Sequence, residues 1–286
     1  MESVTNQDTE SRNLKLGYFI IVSLVGILVY TLAGYNYFMD ALTKLIVKIT
    51  VSFLLFLTVI AMKKREDVRI KNILISFFAI ALGFLLAYFL GNWYSLIPGL
   101  VADSVEGWAL AKLAEVLPIV ITVIVVSIYF GDNLETLYLK GGNLRKSLLL
   151  GTLVLPLSFI QYLAMGGFSV NVSIDIIAGW TPWLLLFAVS NAFMEELIFR
   201  GVLLRKLEVI LGERGALIQV SLVFALIHTA LLPFMGVEMV IVFVGFLFVI
   251  GGVWGYVMQK SDSIWGAVLA HTVADILFVI IAFGIV

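Results

Sequence analysis

An all-α bundle of membrane-spanning helices is the fold class the sequence predicts, and three observations predict it. Hydrophobic residues make up 62% of the 286 and charged residues only 13%, where a soluble domain carries about 25% charged. The apolar runs are about twenty residues long, the length that crosses a bilayer. They lack the alternation of strands, and in lipid only helices or closed barrels satisfy the backbone.

About nine spans (eight if one is miscounted) follow in order: 16–36, 45–62, 73–91, 113–130, 147–165, 179–203, 216–233, 238–258 and 264–285. The first is long enough to span and has no small-residue cleavage pattern, so it is expected to be a retained helix rather than a signal peptide. The fourth is interrupted near its start by Lys112 and Glu115. Between the third and fourth, Gly91–Ala114 with Pro98, Gly99 and Gly107 is the longest outside connection. Trp93, Tyr94 and Trp108 there suit the headgroup level. The expected division is an N-terminal transmembrane region of unassigned role, 1–110, and a second region, 111–286.

Basic residues set the orientation. With the N-terminus in the cytoplasm, fourteen of the 18 lie in inside segments. These include Lys63, Lys64, Arg65, Arg69 and Lys71, the densest cluster, which is expected to fix topology and attract anionic lipid. Only Lys44, Lys48 and Lys112 fall outside, and the first two are expected to extend to the outer interface. The net charge is -1, with the basic residues confined to short loops, so no nucleic-acid partner is expected. The chain has no cysteine, which excludes disulfides, thiolate zinc sites, thiol catalysis and cysteine lipidation.

Ionisable residues inside spans are costly and usually functional, and here they cluster. Span six holds Glu195, Glu196 and Arg200, span seven holds Phe224 and His228, and span nine holds His271 and Asp275. The only two histidines of the chain are therefore both inside apolar helices. Glu196 with Arg200, Phe224 with His228 and His271 with Asp275 are each four residues apart and share a helix face. Glu196 and His228 lie sixteen residues before and after Gly212, where a hairpin is expected. Equal rise puts them at matching depth, about 24 Å from the turn, with His271 about 15 Å along its own helix. Convergence in the cytoplasmic half of the membrane follows. Carboxylates and imidazoles so placed suit water-mediated hydrolysis, with a carboxylate as base and imidazoles to orient water, stabilise an oxyanion or bind zinc.

Glu195-Glu196-x-x-x-Arg200, Phe224-x-x-x-His228 and His271-x-x-x-Asp275 resemble the three ordered motifs of the CPBP intramembrane protease family. That family includes the type II CAAX prenyl endopeptidases and the bacterial Abi proteins linked to bacteriocin processing and immunity. The resemblance covers about residues 180–280. It implies an intramembrane endopeptidase, putting Glu195 and Glu196 as the base that activates water and His228 as a holder of that water or of a metal. His271 and Asp275 would stabilise the oxyanion, and Arg200 would order the glutamates. Phe224 reads as a pocket wall. An acid at 275 is a poorer oxyanion donor than the Asn some relatives carry.

Zinc on Glu196, His228 and His271 and a metal-free glutamate mechanism both stay open. The expected substrate is a peptide or lipidated peptide, and the expected location a prokaryotic cytoplasmic membrane with the site open to the cytoplasmic side. The rival reading is a non-proteolytic scaffold or bacteriocin-immunity protein that keeps the fold. Gly251, Gly252 and Gly255 read as helix packing, and Asn191 and Gln219 as helix-helix hydrogen bonders.

Overall fold

The computed structural model describes residues 2–36, 38–62, 67–231 and 236–284, with side chains from Asn13 onward apart from Leu231. Lys63, Lys64 and Arg65 of the expected topology cluster lie outside the described residues, as do the last positions of the spans ending at 233 and 285.

Helices are the only regular elements among the described residues. They are α1 Glu2–Leu28, extended by a π-helical turn Val29–Gly34; α2 Ala41–Ala61; α3 Val68–Leu90; and α4 Val105–Tyr129. Then come α5 Leu144–Leu153, α6 Leu155–Ala164, α7 Ile174–Glu196, α8 Arg205–Ile227, α9 Val237–Ser261 and α10 Trp265–Gly284. A π-helical stretch, Leu197–Leu204, joins α7 to α8 without a break. Side-chain caps mark where the chain turns into the bilayer. Asp40 accepts from the amides of Leu42 and Thr43, Ser104 from Gly107 and Ser173 from Ile176. Caps such as Ser104 and Ser173 each contribute about 1 kcal/mol.

Among the described residues, eight continuous helices are long and apolar enough to cross a membrane, and the chain is an integral membrane protein. One of the eight runs 57 residues from Ile174 to Ala230 and folds back on itself at Gly212. There φ is 74° and ψ 166°, a conformation almost confined to glycine. The two arms run antiparallel, because Phe199 and Phe224, on either side of the turn, bring their ring centroids within 5.2 Å. With its two arms counted separately, the described residues hold nine segments in place of eight.

Two expectations are corrected. The fourth span starts at Val105 rather than 113, because Lys112 and Glu115 neutralise each other within the helix at 2.6 Å. Trp108, near the start of α4, packs edge-on against Phe283 near the end of α10, with centroids 4.8 Å apart. Lys48 does not reach the interface. It is 6% exposed, and its amine donates to the carbonyls of Ala33 and Gly34, acceptors that a helix end leaves without intrahelical donors.

One apolar core crosses the expected boundary at 110/111, which itself falls inside α4. Val29, Tyr30, Phe77 and Ile119 belong to the same cluster as Phe199, Phe224 and Trp254. α1 packs on α8, α4 on α3 and α7, and α10 on α5, α6, α7 and α9. The polar residues of α7, α8 and α10 thereby face one interior.

Candidate active site

Glu195 and Glu196 are the last two residues of α7. Consecutive helical residues point about 100° apart, and the two acids enter different surroundings. Glu196 is fully buried. Its Oε1 accepts from Arg200 Nη1 at 3.0 Å and lies 2.9 Å from His271 Nδ1. Facing a carboxylate, Nδ1 carries the proton and donates. Glu195 instead lines a hollow of about 160 Å³ together with Asn191, His228, His271 and Asp275, room for several waters at about 30 Å³ each. The Glu195 Oε2 is buried without a hydrogen-bond partner, 3.8 Å from His271 Nε2.

His228 opens the short 3₁₀ turn that ends α8. Its Nδ1 lies 2.7 Å from the carbonyl oxygen of Phe224. A carbonyl can only accept, so Nδ1–H donates and Nε2 keeps its lone pair. The i,i+4 spacing thus orients this ring through the backbone, and the Phe224 ring adds an edge contact at 4.9 Å.

His271 stands between two aromatic walls. Trp254 stacks on it with centroids 4.2 Å apart, and Phe224 meets it edge-on at 6.0 Å. Its Nε2 is 3.6 Å from Asp275 Oδ1, while Asn191 Nδ2 donates to Asp275 Oδ2 at 3.0 Å. Asp275 is thereby tethered to α7 as well as to its own helix.

Arg200 is wholly buried beneath these groups. Besides Glu196 it donates through Nη2 to the Gly251 carbonyl at 2.8 Å, and its guanidinium lies 4.6 Å from the Phe224 ring centroid. A Cβ at Gly251 would stand 3.0 Å from both Arg200 Nη2 and Phe224 Cδ1. The small-residue stretch is therefore packing, as expected, but packing around the buried cation.

All seven sequence-predicted residues come together, though not in the expected roles. Glu196 does not line the hollow, so Glu195 alone presents a carboxylate from α7. The set Glu196, His228 and His271 does not converge as zinc ligands. Arg200 and His271 already occupy Glu196 Oε1, and His271 turns Nδ1 toward that acid rather than toward His228. Among the described residues, no group of three or more His, Asp or Glu side chains could hold a metal ion.

Sequence reasoning missed Tyr35, Trp254, Lys112 and Gln161, all of which line the hollow. Trp254 follows Gly251 by three residues and was legible only as packing. Tyr35 carries no motif. The hollow extends from Glu195 past Phe187, Ala230 and Phe278, toward the end of the bundle away from Gly212.

No curated protein and no solved structure matches the chain. Residues 177–277, the stretch that supplies Glu195, His228, His271 and Asp275, match the family model described as type II CAAX prenyl endopeptidase Rce1-like, and that match identifies the segment with the CAAX protease family its motifs resemble.

Proposed function

We propose that the chain is an intramembrane endopeptidase that hydrolyses a peptide bond with Glu195 as general base. The observation that carries this reading is that Glu195, His228, His271 and Asp275, from three helices, line one hollow with room for several waters. A water held between the Glu195 carboxylate and His228 Nε2 gives a proton to Glu195 as its oxygen attacks the substrate carbonyl. Glu195 then passes that proton to the departing amine nitrogen. With both nitrogens protonated, His271 donates through Nε2 to the oxyanion. Glu196 and Asp275 balance its charge and that of Arg200, and Glu195, 3.8 Å from His271 Nε2, stays ionised as the base. Asp275 serves by holding His271 and Asn191 rather than as an oxyanion donor.

The family match supports a CAAX-type, prenylated peptide as the substrate class. The bacterial members of the resembling family support a prokaryotic cytoplasmic membrane, and in that setting the substrate is a peptide without the prenyl group. The test is cleavage of a farnesylated reporter peptide by purified protein. Glu195→Gln should lower the rate at least about 100-fold, the usual contribution of a general base. Undiminished cleavage in that variant would sink the proposal. A metal-free site also predicts that strong chelators leave the parent rate unchanged, and loss of activity restored by zinc would overturn that part.

The side of entry follows from two observations that pull apart. The basic bias supports a cytoplasmic N-terminus and places the Gly212 turn in the cytoplasm, while the hollow runs from Glu195 away from that turn. Entry is therefore proposed at the end of the bundle opposite Gly212. Cytoplasmic access through this opening requires the reverse orientation.

A further inference from the structure

Tyr35 reaches the hollow from the first membrane helix, far outside residues 177–277. It lines the same cavity as Glu195, and its hydroxyl donates to Glu195 Oε1 at 3.5 Å. Hydrogen bonds to catalytic groups are often this long before substrate arrives and tighten afterwards. We propose that Tyr35, held by the buried Lys48, is a positioning residue for the Glu195 carboxylate, so that the hydrolytic site is completed by the N-terminal half of the chain. This inference rests on the reading of Glu195 as the base.

Three features of the fold direct Tyr35 to that place. The first helix ends in the π-helical turn Val29–Gly34. Such a turn carries more residues than an α-turn and is found preferentially at functional sites. Immediately after it, Tyr35 leaves the helical conformation with φ -87° and ψ 60°, while its amide still donates to the Tyr30 carbonyl at 2.7 Å. The backbone direction is thus fixed on the N-terminal side of the residue.

Lys48 fixes it from the other helix. Its amine donates to the carbonyls of Ala33 and Gly34, the last two of the π-turn, and stands 5.7 Å from the Phe84 ring centroid. A lysine inside a span is expensive and calls for a specific use. Here it satisfies two helix-end acceptors next to Tyr35. Phe84 completes the seat by meeting the Tyr35 ring edge-on at 5.8 Å. The resulting chain of contacts runs from Lys48 through the end of α1 to the phenol and on to Glu195.

The test compares the full-length parent with Tyr35→Phe, Lys48→Met and the double variant, by steady-state cleavage of the farnesylated reporter. Tyr35→Phe should lower kcat about tenfold or more with KM nearly unchanged, the scale of one hydrogen bond to a charged group. A merely structural role would raise KM or lower the amount of folded protein without that split. Lys48→Met should lower kcat in the parent but add little to Tyr35→Phe, since it acts through the same phenol. A kcat for Tyr35→Phe within about twofold of parent, or losses that multiply in the double variant, would overturn the proposal.

A thermal double-mutant cycle of Tyr35→Phe with Glu195→Ala needs no turnover. The drop in midpoint caused by Tyr35→Phe should vanish once residue 195 is alanine, and equal drops in both backgrounds count against the contact. A parent that folds, shows this coupling and cleaves nothing would defeat the hydrolytic reading alone.

Discussion

Glu195 and Glu196 differ by one position and by everything around them. Glu196 is sealed between Arg200 and His271, so its charge is structural, whereas the freer Glu195 carboxylate borders the hollow. Glu196→Gln should therefore destabilise the protein by about 3–5 kcal/mol, because it leaves Arg200 buried without its counter-ion. Glu195→Gln should leave the thermal midpoint close to parent while removing activity. Thermal unfolding of both variants in one detergent checks the contrast, and equal midpoints would refute it. The sequence made the residue types legible, since intramembrane acids and both histidines stand out against an apolar background. It could not say which of two adjacent acids faces the hollow, because that depends on where α10 and α9 pack. Nor could it find Tyr35, whose position depends on contacts between segments 160 residues apart.

At the scale of elements, spacing was a good guide where both partners share a helix and a poor one elsewhere. The pairs Glu196 with Arg200 and Phe224 with His228 meet as i,i+4 neighbours, and the Gly212 turn falls where the hairpin was expected. The start of α4 was misjudged because Lys112 and Glu115, read singly as interruptions, cancel as a pair. Lys48 was misjudged because its acceptors lie on another helix. α9 contributes through the absence of a side chain. Gly251→Ala inserts a methyl against Arg200 and Phe224, and overpacking of this kind costs about 1–3 kcal/mol. Its thermal midpoint should fall, while Gly245→Ala, with nothing within 4 Å of the added Cβ, should behave like parent.

For the whole molecule, the main core spans both halves, so the half without motifs is packed into the half that has them. Gln219 of α8 donates to the Phe19 carbonyl and to Ser23 of α1, and Tyr30 stacks on Phe199 with centroids 4.7 Å apart. Removing residues 1–36 should abolish activity and expose the core, measured as loss of a folded peak on size exclusion. The native absence of cysteine makes orientation directly measurable. A single cysteine at Arg214 should react with an impermeant maleimide only from the cytoplasmic face, and labelling from outside would reverse the assignment of every loop.

The fold-back at Gly212 has a consequence for how the protein can be divided. The glycine and its neighbours Glu213 and Arg214 are exposed, while the two arms are tied to each other deeper in by Phe199 on Phe224 and by Arg200 over that ring. The covalent link at the tip is thus the least needed part of the pairing. Two polypeptides, 1–211 and 213–286, expressed together should find each other in the bilayer and rebuild a working enzyme from separately inserted pieces.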